Sequence, residues 1–209
     1  DEVGVKFQAV VYGQAADYEG VINVKNKVLD DGANEASLVY WVTGVAAGTA
    51  VNASATNKIY DGEFDINVDY TQSQLEAAIK AGEFTLHQVG SDVRVLTDIN
   101  SLVTTTANKG DVFKDNQTIR VCDQIATDIA NLFVTKYLGV VPNDASGRTS
   151  LWADIVKHHE NMQSIRAIEN FTDEDVTVDQ GETKKSVVVN DNITVVNTME
   201  KLYMTVYVA

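Results

Sequence analysis

Residues able to do chemistry are scarce in this chain of 209 residues. His158-His159-Glu160 is the densest group of metal-ligating types. Neighbouring side chains on a helix point about 100° apart, so the two imidazoles do not converge on one ion. Zinc-protease chemistry needs His at i and i+4 with Glu between them, and that spacing is absent. His159 lines up with the apolar positions around it and His158 lies beside them, so both read as packed or solvated side chains. Cys122, the one cysteine, occupies a position in an apolar helical stripe and reads as a small core residue rather than a thiolate nucleophile. A lone cysteine also excludes a disulfide framework and a multi-thiolate metal centre. Asp61, Glu63, Asp65, Asn67 and Asp69 offer the oxygens of a calcium loop, yet Ile66 and Gln72 stand where that loop needs Gly and Glu. Phe64, Ile66, Val68 and Tyr70 alternate with those acids, which predicts a strand or extended segment with a solvated acidic face. No Gly-x-Ser-x-Gly elbow, P-loop or dinucleotide fingerprint is present, and no cofactor is expected. The Asn-x-Ser/Thr triplets at Asn52, Asn116, Asn170 and Asn192 matter only in a eukaryotic secretory context.

The bulk composition narrows the classes further. Thirty Asp and Glu face sixteen Lys and Arg, a net charge of −14, which argues against binding nucleic acid or an anionic membrane. Carboxylates are so common that no acid pair stands out as a general acid and base. With 44% hydrophobic and 22% charged residues the chain has the make-up of a globular protein. Its longest apolar run, around Leu38 to Val51, is too short and too rich in Gly and Ala to span a bilayer. No charged segment leads into a signal-peptide core, and the single cysteine fits a reducing cytoplasm. A start at Asp1 rather than Met points to a processed, truncated or excised piece.

The elements that position these residues follow from hydrophobic period. Val3, Val5, Phe7, Ala9 and Val11 alternate with polar neighbours as a strand, and Gly20 to Lys25 reads as a second. Asn34 can cap a helix carrying Leu38, Trp41, Val42 and Val45, and the Gly and Ala beside them predict close packing against a sheet or another backbone. Thr71 and Ser73 open a short helix, each with a capping-box partner three residues on, and Gly82 fits its C-terminal stop. Phe84–Val89 and Val93–Leu96 flank Gly90-Ser91-Asp92 as a hairpin. The polar stretch 101–116 reads as a connection between two subdomains. A long helix runs from about Asn116 to Leu138, and a second from Arg148 to about Met162. Short strands follow at Val176–Val178 and Val187–Val189.

The chain closes on Ile193 to Val208, Pro-free and apolar, with Leu202, Met204, Val206 and Val208 alternating with Tyr203, Thr205 and Tyr207. Such a strand left bare at a chain end would aggregate, so something should pair with it. Either it joins its own sheet, or it adds to a sheet of another subunit. The fold class is therefore α+β: two subdomains of mixed and antiparallel sheets with packed helices, ending in a long C-terminal strand.

The order of several short pieces is more telling than any one of them. They are Trp41-Val42-Thr43-Gly44; Thr56-Asn57-Lys58 before Tyr60-Asp61-Gly62; Tyr70-Thr71 before Leu75-Glu76-Ala77-Ala78-Ile79; and Val93-Arg94-Val95 with Asp98-Ile99-Asn100. Ile119-Arg120-Val121, Ile125-Ala126, Gly147-Arg148, Ile168-Glu169-Asn170-Phe171 and Met199-Glu200-Lys201-Leu202-Tyr203-Met204-Thr205-Val206 complete the series. In this order the chain resembles the C-terminal half of the contractile tail sheath proteins of myovirus-type phages and prophage tail particles. Those proteins are roughly twice as long, which implies a fragment lacking the N-terminal half.

The resemblance implies a partial middle domain at 1–100, a connection at 101–116 and an inner C-terminal domain with a strand arm at 117–209. It implies a structural, non-enzymatic subunit of a helical polymer that contracts around a tail tube and drives it through the target cell envelope. Its partners would be other copies of itself, the tail tube protein, the baseplate and the tail terminator, with no nucleic acid and no membrane binding. Its place would be the virion tail, after assembly in the bacterial host cytoplasm. Leu202, Tyr203, Met204, Thr205, Val206, Tyr207 and Val208 would form the inter-subunit strand, and Lys136, Arg148 and Lys157 would face the tube. The alternatives are another structural tail component (tube or baseplate) and a cytoplasmic hydrolase using an unrecognised acid pair.

Overall fold

A computed structural model describes residues 8–208, which divide into a larger unit of 8–119 with 197–208 and a smaller unit of 120–196. In the larger unit β1 (Ala9–Tyr12), β2 (Val21–Val24) and β3 (Glu83–Phe84) form a parallel sheet in that order. Ile22, Asn23 and Val24 of the middle strand are all buried, as a strand covered on both faces requires. Val3, Val5 and Phe7 lie outside the described residues. In β1 it is Val10 that packs on the core while Ala9 is exposed, so the inward face is opposite to the one expected.

Helix α1 (Leu38–Gly48) buries Leu38, Val42 and Val45. It starts after Ser37; Asn34 instead accepts a hydrogen bond from the Ala36 amide at 2.9 Å and shapes the preceding turn. Of the small residues beside this face, Ala46 packs against the core as expected and the others do not. Gly44, Ala47 and Gly48 fall on the exposed side, and a Cβ at Gly44 or Gly48 would meet nothing within 4 Å. Close approach is achieved by the aliphatic side, with Trp41 edge-on to Tyr60 at 5.0 Å. Residues 61–70 form no strand: Gly62 at φ +80 and a bend at Glu63 and Phe64 interrupt them, and one bridge joins Val28 to Ile66. Ile66 is buried and Asp61, Glu63, Asp65 and Asp69 are exposed.

Helix α2 (Gln72–Lys80) is capped by Thr71 and Gln74 in a reciprocal box, so the Ser73 alternative falls inside the helix. Gly82 ends this segment at φ +68, where a Cβ would lie 2.9 Å from the Ser101 backbone, so only glycine fits. Strands β4 (Leu86–Val89) and β5 (Asp92–Val95) form a hairpin on a two-residue Gly90-Ser91 loop, with Leu86 and Val95 opposed and buried. These side chains join Ile22, Val24, Phe84 and Leu38 in one core, each burial contributing about 1.5–3 kcal/mol relative to exposure. Asn26, fully buried, holds β4 from the side. Its amide donates to the carbonyl of Leu86 at 2.8 Å and its oxygen accepts from the Leu86 amide at 2.7 Å.

Helix α3 (Asn116–Leu132) begins among the last residues of the larger unit. The long helix expected to reach Leu138 gives way to a π-helical turn at Phe133–Tyr137, closed by Gly139 at φ +73. In the smaller unit α4 (Ala145–Ser164) starts three residues earlier than the apolar pattern indicated, because Asp144 caps it through the Gly147 amide at 2.7 Å. Its buried side, Leu151, Ile155, Val156, His159 and Met162, packs on β6 (Ile168–Glu169) and β7 (Val176–Gln180). β7 pairs antiparallel with β8 (Val187–Asp191), and β6 with β9 (Thr194–Val195).

The long strand expected from Ile193 onward is a correction. Only Thr194 and Val195 are paired, and residues 196–208 belong to no helix or strand. The described residues of this one chain offer 202–208 no strand partner.

Candidate functional site

The C-terminal segment has a root and an arm, and both belong to the larger unit. The root is polar. Asn197 donates to Asp115 at 2.8 Å and accepts from Thr118 at 3.3 Å, while the Thr198 amide donates to the Gln117 side chain at 3.1 Å. Glu200 accepts from the Thr56 hydroxyl at 2.5 Å on one oxygen and from Thr97 at 2.9 Å on the other. These residues border a cavity of about 370 Å³ lined by Ser54, Asp98, Asp115, Gln117 and Lys201 beside the root residues. Burial, then the Glu200 and Asp98 carboxylates, push Asp115 up to about 6. Asp98, itself buried, accepts from the Ala55 amide and the Asn116 side chain, both at 2.9 Å.

Beyond the root, residues 201–208 are all exposed. Leu202 is 87% exposed, Tyr203 90% and Val208 93%, values unusual for large apolar side chains in a row. A segment of alternating β-branched, aromatic and aliphatic residues with free backbone groups can add to a sheet edge, which would supply its hydrogen bonds and cover its apolar side.

The smaller unit has such an edge. The amides of Gly181 and Asn192 donate to the carbonyls of Ser186 and Asp175 at 2.8 and 3.1 Å, which sets the phase of the β7–β8 ladder. The bonded pairs are then Asp179 with Val188 and Thr177 with Asn190, so the backbone groups of Val187, Val189 and Asp191 point out of the hairpin along β8. On the β7 side the Val176 carbonyl is already used, accepting from the Trp152 indole at 3.0 Å. Among the described residues no strand pairs with the outer edge of β8.

The cationic candidates lie in the smaller unit. Lys136, 56% exposed, pairs with Asp154 at 2.5 Å, and Tyr137 donates to the same carboxylate oxygen. Arg148 is half-buried and donates to the Asn143 carbonyl at 3.2 Å and side chain at 3.1 Å. Lys157 is exposed on α4 and helps lower the pKa of Asp154, after the Lys136 and Tyr137 bonds. The histidines do not share an ion. His158 pairs with Asp128 and fully buried His159 with Asp191, each at 2.9 Å, and His159 also meets the Ile155 carbonyl at 3.0 Å. Cys122 is half-buried, and burial raises its pKa. Among the described residues no three His, Cys, Asp or Glu side chains are grouped to hold a metal ion, and no helix is long and apolar enough to cross a membrane.

The root was not anticipated from sequence. Glu200 lies in an otherwise largely apolar run, and its partners Thr56 and Thr97 lie 144 and 103 positions away. The His159–Asp191 pair, 32 positions apart, was equally hidden.

Comparison with known proteins bears on the whole chain. Residues 1–101 match the phage tail sheath protein central domain, and residues 108–209 match the phage tail sheath C-terminal domain. The phage-like element PBSX protein XkdK of Bacillus subtilis is 31% identical over all of this chain and 47% of its own length. A crystal structure of the sheath tail protein from Desulfitobacterium hafniense superposes with a TM-score of 0.82 at 37% identity, covering 98% of this chain and 49% of that one. The anti-feeding prophage helical sheath in its contracted state shares the fold, with a TM-score of 0.74 at 15% identity over 96% of this chain and 61% of its own. The chain spans about half the length of the first two.

Proposed function

The chain belongs to the phage tail sheath protein family, and from that premise we propose that it is the central and C-terminal part of a contractile sheath subunit. Copies polymerise helically around a tail tube, and the lattice shortens and widens to drive the tube through a target envelope. The observation that carries this reading is an exposed apolar arm, 202–208, that joins no sheet among the described residues, in a chain that also has an open β-edge on β8. Each copy donates its arm to the β8 edge of another.

Strand addition suits a polymer that must rearrange. Its backbone hydrogen bonds are local to the exchanged strand and indifferent to the angle between the bodies it links, so subunits can rotate while the arms stay paired. A chain with net charge −14 repels its copies in general, which leaves association to a specific edge. The energy for contraction is held in the lattice itself, and the reading assigns the chain no catalysis. The tail tube is the further partner, met by Lys136, Arg148 and Lys157; the exposed Lys157 is the best placed of the three to form new ion pairs. The baseplate and the tail terminator bound the polymer at its ends. The polymer belongs to the virion tail and assembles in the bacterial host cytoplasm.

The test is electron microscopy of the full-length gene product with and without 202–208. The intact protein is expected to form hollow helical tubes, and the deletion variant to remain a soluble monomer with unchanged circular dichroism. Tubes formed without the arm would overturn strand exchange, and a monodisperse intact protein with hydrolytic turnover would overturn the sheath reading.

A further inference from the structure

Residues 197–208 are all exposed, yet one of them, Glu200 at the start of the arm, is held on both carboxylate oxygens. We propose that Glu200 is the positioning residue of the arm, clamped by the Thr56 and Thr97 hydroxyls so that the strand leaves the larger unit in one direction. This rests on the strand-exchange reading and adds what makes exchange efficient. A short segment that searches all directions loses more entropy on pairing than one launched toward its acceptor.

The hydrogen-bond inventory at Thr56 makes the clamp specific. Its hydroxyl oxygen accepts from the Asp98 amide at 2.9 Å and from the Ser54 hydroxyl at 2.9 Å, and the Ser54 oxygen accepts in turn from the Thr56 amide at 3.1 Å. Both lone pairs of the Thr56 hydroxyl are then occupied, and its single proton has one acceptor left, Glu200. Thr56 cannot turn away without stranding the Asp98 amide. Thr97 supplies the second proton from two residues beyond the end of β5. Two hydroxyl donors on one carboxylate are charge-assisted bonds, stronger than neutral ones. The clamp also explains why a carboxylate stands beside Asp98 and Asp115 at all, since their repulsion opposes it.

Glu200→Ala removes both acceptors. Glu200→Gln keeps one for Thr56 and offers its amide to the Thr97 oxygen, so it should rescue. In the full-length gene product with Cys122→Ala and any cysteine outside these 209 residues also replaced, nitroxides at Leu202→Cys and Ser91→Cys report the arm's exit by pulsed electron resonance. For the monomer the distance distribution is expected to be narrow in the parent and in Glu200→Gln, and broad in Glu200→Ala. On label-free chains, tube assembly is expected to slow about tenfold or more in Glu200→Ala alone, with the melting temperature held. An unchanged distribution, normal assembly of Glu200→Ala, or failure of Glu200→Gln to rescue would overturn the clamp. The arm deletion separates the two claims. If it still assembles, strand exchange itself has failed; if it does not while Glu200→Ala does, only the clamp has.

Discussion

At the scale of single residues, the root of the arm sets a charge cost against a set of directed bonds. Asp115 faces Glu200 and Asp98 across the cavity, with Lys201 the cation on its lining, and its pKa is pushed up to about 6 by burial first and those carboxylates next. Folded chains therefore keep this proton up to about 6, while unfolded ones release it near 3.8. Between those values folding takes up a proton, so stability falls as pH rises and the full penalty is present above 6. Asp115→Asn keeps an oxygen for Asn197 but carries no charge. Because Asp115 is only partly buried, solvent screening reduces the full linkage value, and the change should stabilise the protein by about 1–2 kcal/mol at pH 7.5 and flatten the fall between pH 4 and 6. Urea titrations across that range measure this; curves that run parallel for the two proteins would contradict it.

At the scale of elements, β8 is an edge whose outward and inward amides are separable. The Val189 amide points out of the hairpin and the Val188 amide bonds to Asp179. Val189→Pro therefore removes one donor from the proposed acceptor edge without breaking the ladder, whereas Val188→Pro breaks it. The expected outcome is at least about a tenfold loss of assembly for Val189→Pro with a folded monomer, and an unfolding cost of about 3 kcal/mol or more for Val188→Pro. Sedimentation and circular dichroism distinguish the two, and normal tubes from Val189→Pro would exclude β8 as the acceptor.

The same scale shows what could be read from the chain beforehand. β2, the Thr71 capping box, the β4–β5 hairpin and the acid-out alternation of 61–70 rest on local rules of period and capping, and they were legible. The start of α1 was not, because Ser37 makes no side-chain cap bond and leaves no signature. The exposed side of α1 was misread because Gly and Ala report that close packing is permitted, not that it occurs. The clamp on Glu200 and the His159–Asp191 pair join residues far apart in sequence, which no local pattern encodes.

At the scale of the molecule, a chain of net charge −14 carries one apolar stretch that its own described sheets do not receive. That mismatch underlies the proposal that the arm, unpaired among the described residues of a single chain, is completed by another copy. Backbone amide exchange of 202–208, read by mass spectrometry in free subunits and in assembled tubes, tests it most directly. Exchange near the random-coil rate is expected in the free subunit, with slowing by about a hundredfold or more in tubes, as for strand amides. Tubes in which these amides still exchange as fast as in the free chain would contradict it.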